Sequence, residues 1–213
     1  MSHMKRNAVP KIWPIPRKGT KFVIKAGTRE LPIVVAMRDM LKIAKNRKEV
    51  KKAIHEKKLL ISGRVVKDDK AVMCLFDVLT IIPSKQNYSL RLSEKGKFKL
   101  EEISEKDSKQ KVSKVSGKKK LKGKKTQLNL LDGRNILEEK TCSVNDSVVL
   151  DLSKKKIVKI LSLKEKANAL IIEGKHAGER GIIEKIKPEL KMVELVSKDK
   201  KTNVLIKQLM VLE

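Results

Sequence analysis

A chain of 213 residues with 40% apolar side chains can bury one or two real cores, which excludes disorder throughout. Its 52 basic residues against 25 acidic ones leave a net charge of +27, an excess that repels itself on folding and implies a polyanionic partner. A membrane is not the expected polyanion: no run nears the ~18 consecutive apolar residues of a spanning helix, and neither a signal peptide, a lipidation motif nor an apolar interfacial face accompanies the basic stretches.

Residues 1–30 are expected to form an extended basic arm. Residues 1–29 carry eight Lys and Arg and no acid. Pro10, Pro14 and Pro16 deny helix to their neighbours, and an arm without a core of its own would order on its partner. Trp13 either stacks on a base or packs on the body.

Over 31–93 the pattern turns helical at Leu31-Pro32, with proline in the first turn. Ile33, Met37, Met40, Leu41 and Ala44 share one face, and Arg38, Lys42 and Lys45 the other. Asn46 followed by Glu49 reads as a capping box that opens a second helix. Val50, Ala53 and Ile54 point inward there, leaving Arg47, Lys48, Lys51 and Lys52 outside. A strand at 59–61, a turn at Ser62-Gly63, the segment 64–67, a turn at Asp68-Asp69 and an apolar strand pattern over 72–82 follow. The expectation is a helix pair with a positive wall, packed on a small sheet.

Residues 94–164 read as a mostly-β domain. Strands are expected at 88–92, just before it, and at 97–103, a helical turn or loop at 104–111, and a hairpin from 112–116 and 126–131. Its tip is lysine-rich: residues 109–125 hold nine Lys and no acid, a density that cannot relieve its own repulsion internally. Asp132-Gly133-Arg134-Asn135 is a turn, and strands follow at 147–152 and 156–162. The last stretch, 165–213, has ten basic and eight acidic residues, with four short strands at 169–172, 181–186, 191–196 and 203–206 that suggest a small barrel.

Catalysis has no visible seat. The run from Gly117 to Thr126 superficially resembles a phosphate loop, but five residues separate its glycines and a second Lys precedes the Thr. No G-x-S-x-G, H-E-x-x-H or G-x-G-x-x-G occurs, and the adjacent acids Asp68-Asp69 and Glu101-Glu102 sit on turns or strands where neighbours point apart. Cys74 and Cys142 lie far apart, and His3, His55 and His176 stand singly, so no metal or redox site is legible. Both cysteines are expected as small core residues in a reducing cytoplasm. No cofactor and no small-molecule substrate is expected.

Several stretches carry a resemblance. Met37 to Leu41, Arg47 to Ile54 and Leu60 to Val66 together resemble the RNA-binding module named after bacterial small-subunit protein S-four. Leu170 to Ile183, with Gly174, Gly178 and Gly181, resembles a KOW motif, whose glycines let a loop approach a partner. The arm segments Lys5-Arg6, Pro10-Lys11-Ile12-Trp13 and Pro16-Arg17-Lys18-Gly19 precede the module, and Gln127 to Asn135 follows it. In that order they resemble the archaeal and eukaryotic small-subunit ribosomal protein family S-four-e along essentially the whole chain. Residues 20–30 are compressed relative to that family, and the middle is short and lysine-heavy.

The resemblance implies an α+β chain: basic arm, two-helix module with a small sheet, central β domain and a KOW-like, SH3-like β-barrel. It implies a structural constituent of the cytoplasmic small ribosomal subunit that supports assembly and translation. The partners would be small-subunit rRNA and neighbouring small-subunit ribosomal proteins. Expected contacts are Lys5, Arg6, Lys11, Trp13, Arg17 and Lys18 on the arm; Arg38, Lys42, Lys45, Arg47, Lys48, Lys51, Lys52 and Arg64 on the module; Lys118, Lys119, Lys120, Lys122, Lys124, Lys125 and Arg134 in the middle; and Lys175, His176 and Arg180 at the end. Two rivals stand beside it. A KOW-containing transcription elongation factor leaves the arm and helix pair without a reason, and an S-four-module RNA-modifying enzyme needs a sizeable catalytic domain.

Overall fold

Leu31, Ile33, Leu59, Met73, Leu79 and Leu90 are each at most 1% exposed and mark the core of the first of two compact units. The computed structural model of the protein describes residues 3–121, 126–138, 142–197 and 200–212. The first unit comprises 1–92 with 97–109, and the second 93–96 with 110–213. The break expected between 93 and 94 therefore falls inside a hairpin.

In the first unit the arm does not stay extended. Strand β1 (His3–Lys5) pairs antiparallel with β2 (Phe22–Ile24), which folds the intervening residues back. The prolines explain both the loop and its glue. They restrict φ, so little entropy is lost, but they supply no N–H donors to the loop's carbonyls. Arg6 supplies them instead: Nε donates to the Thr20 carbonyl at 2.7 Å, Nη1 to that of Pro16 at 3.0 Å and Nη2 to Thr20 Oγ1 at 2.7 Å. Val9 and Trp13 are buried, and the Phe98 N–H donates to the Ile12 carbonyl at 2.9 Å.

The first helix is shorter than its apolar pattern suggested. Glu30–Pro32 is a strand (β3) paired with β6 (Val72–Cys74), and Pro32 caps a short α1 (Ile33–Val35). This passes into a π-helical turn at Ala36–Met40, closed by the Leu41 N–H on the Ala36 carbonyl. Ile33 to Met37 are buried all round rather than along one stripe, so the periodicity did not mark the helix end. Helix α2 (Arg47–His55) starts as expected: Asn46 Oδ1 accepts the Glu49 N–H at 3.0 Å, and the Glu49 carboxylate accepts the Lys45 N–H at 2.7 Å.

The main sheet of this unit has the order β5 (Arg64–Val65), β4 (Leu59–Ile61), β7 (Val78–Ile81), β8 (Gln86–Leu92), β9 (Phe98–Glu102), all antiparallel, with α3 (Glu105–Ser108) after it. The β4–β5 turn holds Ser62 at φ 46° and Gly63 at φ 76°, the two positive values that a tight two-residue hairpin demands. Ser62, a serine in that strained region, is 3% exposed and pinned: its hydroxyl donates to the buried Asp77 carboxylate and accepts the Val78 N–H. Asp77 also accepts the Cys74 N–H at 2.7 Å.

The second unit contains two five-stranded antiparallel sheets. One runs β12 (Asn135–Glu138), β11 (Thr126–Leu130), β10 (Gln110–Lys120), β13 (Ser147–Asp151), β14 (Lys156–Leu161), over a core of Val115, Leu128, Leu130, Cys142, Val148 and Leu150. The other runs β18 (Lys200–Leu205), β17 (Met192–Ser197), β16 (Arg180–Lys187), β15 (Asn168–Ile171), β19 (Leu209–Val211). Its core is Ile171, Ile183, Val193, Leu195 and Leu209. Strand β19, three residues long, was not anticipated. The two sheets are tied by the Val211 N–H on Ser147 Oγ at 3.0 Å and by Lys114 Nζ on the carbonyls of Ile206 and Leu209.

Among the described residues, Lys111 is the other lysine that turns inward. Its side chain is 0% exposed, and Nζ lies 2.6 Å from Asp132 Oδ2, itself 4% exposed. Replacing Asp132 by Asn keeps an acceptor for the Arg134 N–H, found at 3.1 Å, but removes the counter-charge from beside a buried ammonium. Chemical denaturation should register a loss of about 3 kcal/mol for Asp132→Asn, within the usual cost of breaking a buried pair. Adding Lys111→Met to that variant should recover part of the loss.

Candidate nucleic-acid interface

Burial of Val50 and Ile54 fixes how α2 faces its unit, and Lys48, Lys51 and Lys52 consequently lie exposed along its outer side. Lys42 and Lys45, in the loop before it, are exposed too. Lys42 stands at φ 56°, where the chain reverses between the helices. Arg64 is exposed immediately after the Ser62-Gly63 turn, so a rigid, internally bonded corner presents it.

Arg38 and Arg47 are brought together, lining one cleft of about 240 Å³ with His3, Phe22 and Val35. Neither is a bare cation. Arg38 forks onto Asp39 at 3.1 and 2.7 Å, and Arg47 is paired with Asp69. Asp69 is only 5% exposed. Burial pushes its carboxyl up, but the hydrogen bond from Arg47 and the charges of Arg47 and Lys51 outweigh this and hold it below the usual aspartate value.

On the arm, Lys5, Lys11, Arg17 and Lys18 are exposed, and Arg17 donates one N–H to the Asn7 carbonyl at 2.7 Å. Two expectations fail here. Arg6 is 8% exposed with its guanidinium committed to the loop, so it holds the arm together instead of facing a partner. Trp13, at 2% exposed, packs on the body and offers no face for stacking.

The lysine hairpin is less uniform than its composition. Lys118, Lys119 and Lys120 are exposed at the end of β10, Lys118 donating to the Cys142 carbonyl at 3.0 Å. Lys122, Lys124 and Lys125 lie outside the described residues. Lys111 and Lys114 are buried, so the run does relieve part of its repulsion internally, one charge through a carboxylate and the other through two carbonyls. Arg134 is half-buried, 3.6 Å from the same Asp132. Cys142, which the sequence marked only as a core residue, is 1% exposed; burial and the nearby Asp146 push its thiol up to about 11.

On the last sheet, Lys175 and Arg180 are exposed, and His176 Nδ1 lies 3.0 Å from Glu179. Two other cations there are matched within the sheet: Lys187 with Glu194 and Lys201 with Glu184, both at 2.6 Å. The hydrogen bond from Lys187 lowers Glu194, and that with Glu184 raises Lys201. No group of three or more His, Cys, Asp or Glu able to hold a metal occurs among the described residues, nor is any helix there long and apolar enough to cross a membrane.

Residues 84–157 match the family described as Ribosomal family S4e. The chain is 37% identical over 192 residues to small ribosomal subunit protein eS4 of Methanocella arvoryzae, covering 87% of this chain and 81% of that protein. It is 36% identical over 190 residues to the eS4 protein of Archaeoglobus fulgidus, covering 87% and 80%. Among solved structures, the 30S ribosomal protein S4e from Thermoplasma acidophilum superimposes with a TM-score of 0.74 at 21% identity, over 86% of this chain and 95% of that one.

Because Asp69 is held below the usual aspartate value, its pairing with Arg47 contributes stability that is fully present above about pH 4 and lost as pH falls through the depressed value. Thermal midpoints taken from pH 7 down to pH 3 should therefore fall steeply only at the acid end. In Arg47→Gln that fall should begin at higher pH. In Lys48→Gln, which carries no such pair, it should stay where it is.

Proposed function

The chain belongs to the ribosomal protein family S4e, and from that premise we propose that it is a structural constituent of the small ribosomal subunit, attached to the subunit's RNA through the cations of its arm, α2 face and lysine hairpin. The observation that carries the reading is the 37% identity to an eS4 protein across 87% of the chain. The residue-level assignment has separate support: Lys48, Lys51 and Lys52 exposed on one helix face, Arg64 on a pinned turn, and Lys119 and Lys120 at a strand end.

The mechanism is charge neutralisation. Each ammonium or guanidinium that meets a phosphate releases condensed counterions, and six to ten such contacts lose roughly 10³–10⁵ in affinity between 50 and 200 mM salt on the scale known for DNA. Structured RNA is met largely through backbone, 2′-OH and shape, which suits a surface with 43 Lys among 52 basic residues and few rings. Residues 31–93 serve as the S-four-like module and 165–213 as the KOW-like barrel in this reading. The helix face with its following turn supports the first assignment, and the five-stranded sheet with Gly174 and Gly178 at positive φ supports the second. Neighbouring small-subunit proteins are the remaining partners. Attachment, not turnover, is the activity.

Two measurements test this. The chain should sediment with small subunits from a cell lysate after a moderate-salt wash, and its absence from them would overturn the reading. The Lys48→Ala/Lys51→Ala/Lys52→Ala variant should bind small-subunit RNA more weakly, with the slope of log affinity against log salt reduced by about 2–3. Lys201→Ala, at a cation already matched by Glu184, should leave that slope unchanged.

A further inference from the structure

Phe22 stands in water beside cations. The chain has three Phe, one Tyr and one Trp, and the fold leaves Phe22 alone among them open, at 51% exposed. Trp13 and Phe98 are 2% and 4% exposed, and Phe76 and Tyr88 are half-buried. A lone exposed apolar side chain needs no explanation by itself. The setting of this one does. In the β1–β2 pairing Lys5 stands directly opposite Phe22 and His3 lies diagonally across, so the three share one face of the strand pair. Val23, next along the strand, is buried.

The neighbours of the ring adjoin it without burying it. The His3 and Phe22 rings are inclined at 66° with centroids 5.7 Å apart, so they meet at an angle and do not lie over one another. Lys21 Nζ sits 5.6 Å from the ring centroid, near the outer limit of a cation–π contact, on a long and exposed side chain. The same ring lines the cleft that holds Arg38 and Arg47. Arg47 spends Nε on Asp69, and its side chain is 46% exposed. That carboxylate fixes the plane of the guanidinium, so less freedom is lost when its other N–H groups meet a phosphate.

An open ring flanked by one anchored and one loosely held cation fits a partner that is flat, aromatic and anionic in one piece. Inorganic phosphate has no use for the ring, and an acyl chain or an acidic peptide has no need of its flat face. A nucleotide uses both, with its base on the ring and its phosphates on the cations.

We propose that Phe22 is a stacking platform for one unpaired base of the bound RNA, with Lys21 and Arg47 taking the flanking phosphates. The proposal rests on RNA being the partner and adds which ring a base meets, a place that buried Trp13 cannot fill. Bases stack on aromatic side chains in single strands and loops, whereas in a duplex their faces are already covered.

The test compares Phe22→Leu, which keeps apolar bulk and removes the ring, with Phe22→Tyr, which keeps it. At fixed salt the full-length Phe22→Leu chain should bind small-subunit RNA roughly tenfold more weakly, the scale of one stacked base, while Phe22→Tyr binds as before. The salt slope should not change, because no cation is lost. Binding of a blunt RNA duplex should be equal in all three chains. Ultraviolet cross-linking of the unaltered complex, which needs no variant to fold, should attach a nucleotide to the peptide bearing Phe22. The proposal is overturned by undiminished affinity in Phe22→Leu, by an equal loss on the duplex, by a Phe22→Tyr chain as weak as Phe22→Leu, or by no cross-link at Phe22. Self-association of the free chain that Phe22→Leu abolishes would assign the ring to a protein contact and overturn it too. If small-subunit RNA still binds while these arms fail, only the platform is wrong; if the unaltered chain does not bind that RNA, attachment to RNA is wrong.

Discussion

Four buried aspartates among the described residues organise this protein. Asp69, Asp77 and Asp146 are 5–6% exposed, and the side chain of Asp132 is 4% exposed. In a chain with 25 acids for 52 bases, these carboxylates are scarce, and each is committed to the backbone or to one chosen partner. Asp69 holds Arg47 at the start of α2, and Asp77 holds the Ser62 corner. Asp132 holds Lys111, and Asp146 accepts the N–H groups of Ser143 and Leu163 at 2.9 and 3.0 Å. A buried carboxylate is tolerated only when its lone pairs are filled, here by cations at Asp69 and Asp132 and by hydroxyl or backbone N–H groups at Asp77 and Asp146. Much of the net charge of +27 is carried by exposed lysines, where it can meet phosphate.

This division explains which parts of the molecule could be read from residue order alone. Helix α2 was legible because three signals agree: Asn46 and Glu49 at the cap, Val50 and Ile54 at helical spacing, and lysines between them. The strand alternation and the Ser62-Gly63 and Asp132-Gly133 turns were legible for the same reason, and with them the exposed lysines of the α2 face. The fold-back of the arm was not. It depends on a guanidinium reaching carbonyls 10 and 14 residues away, a pairing that no local pattern encodes. Buried Lys111 and Lys114 were equally hidden, since lysine is almost never fully buried unless paired, and their partners lie 21 to 95 residues further along. Strand β19 is too short to show a period, and the π-helical turn follows a segment buried on every side.

The functional reading gains from these corrections. Arg6 and Trp13 leave the set of candidate surface contacts, which narrows the arm to Lys5, Lys11, Arg17 and Lys18. On the last sheet Lys187 and Lys201 are matched internally, which leaves the glycine-bearing loop at 174–178 as its candidate contact in the proposed reading. The strongest candidates are thus lysines that the fold exposes: Lys48, Lys51 and Lys52 on α2, and Lys119 and Lys120 on β10.

Lysine reactivity tests that claim most directly. The free protein and the assembled small subunit would be acetylated under matched conditions and the modified positions read by mass spectrometry. The account requires Lys48, Lys51, Lys52, Lys119 and Lys120 to react in the free chain and to be protected in the subunit, with buried Lys111 and Lys114 unreactive in both. Equal reactivity of the α2 and β10 lysines in the two states would contradict it.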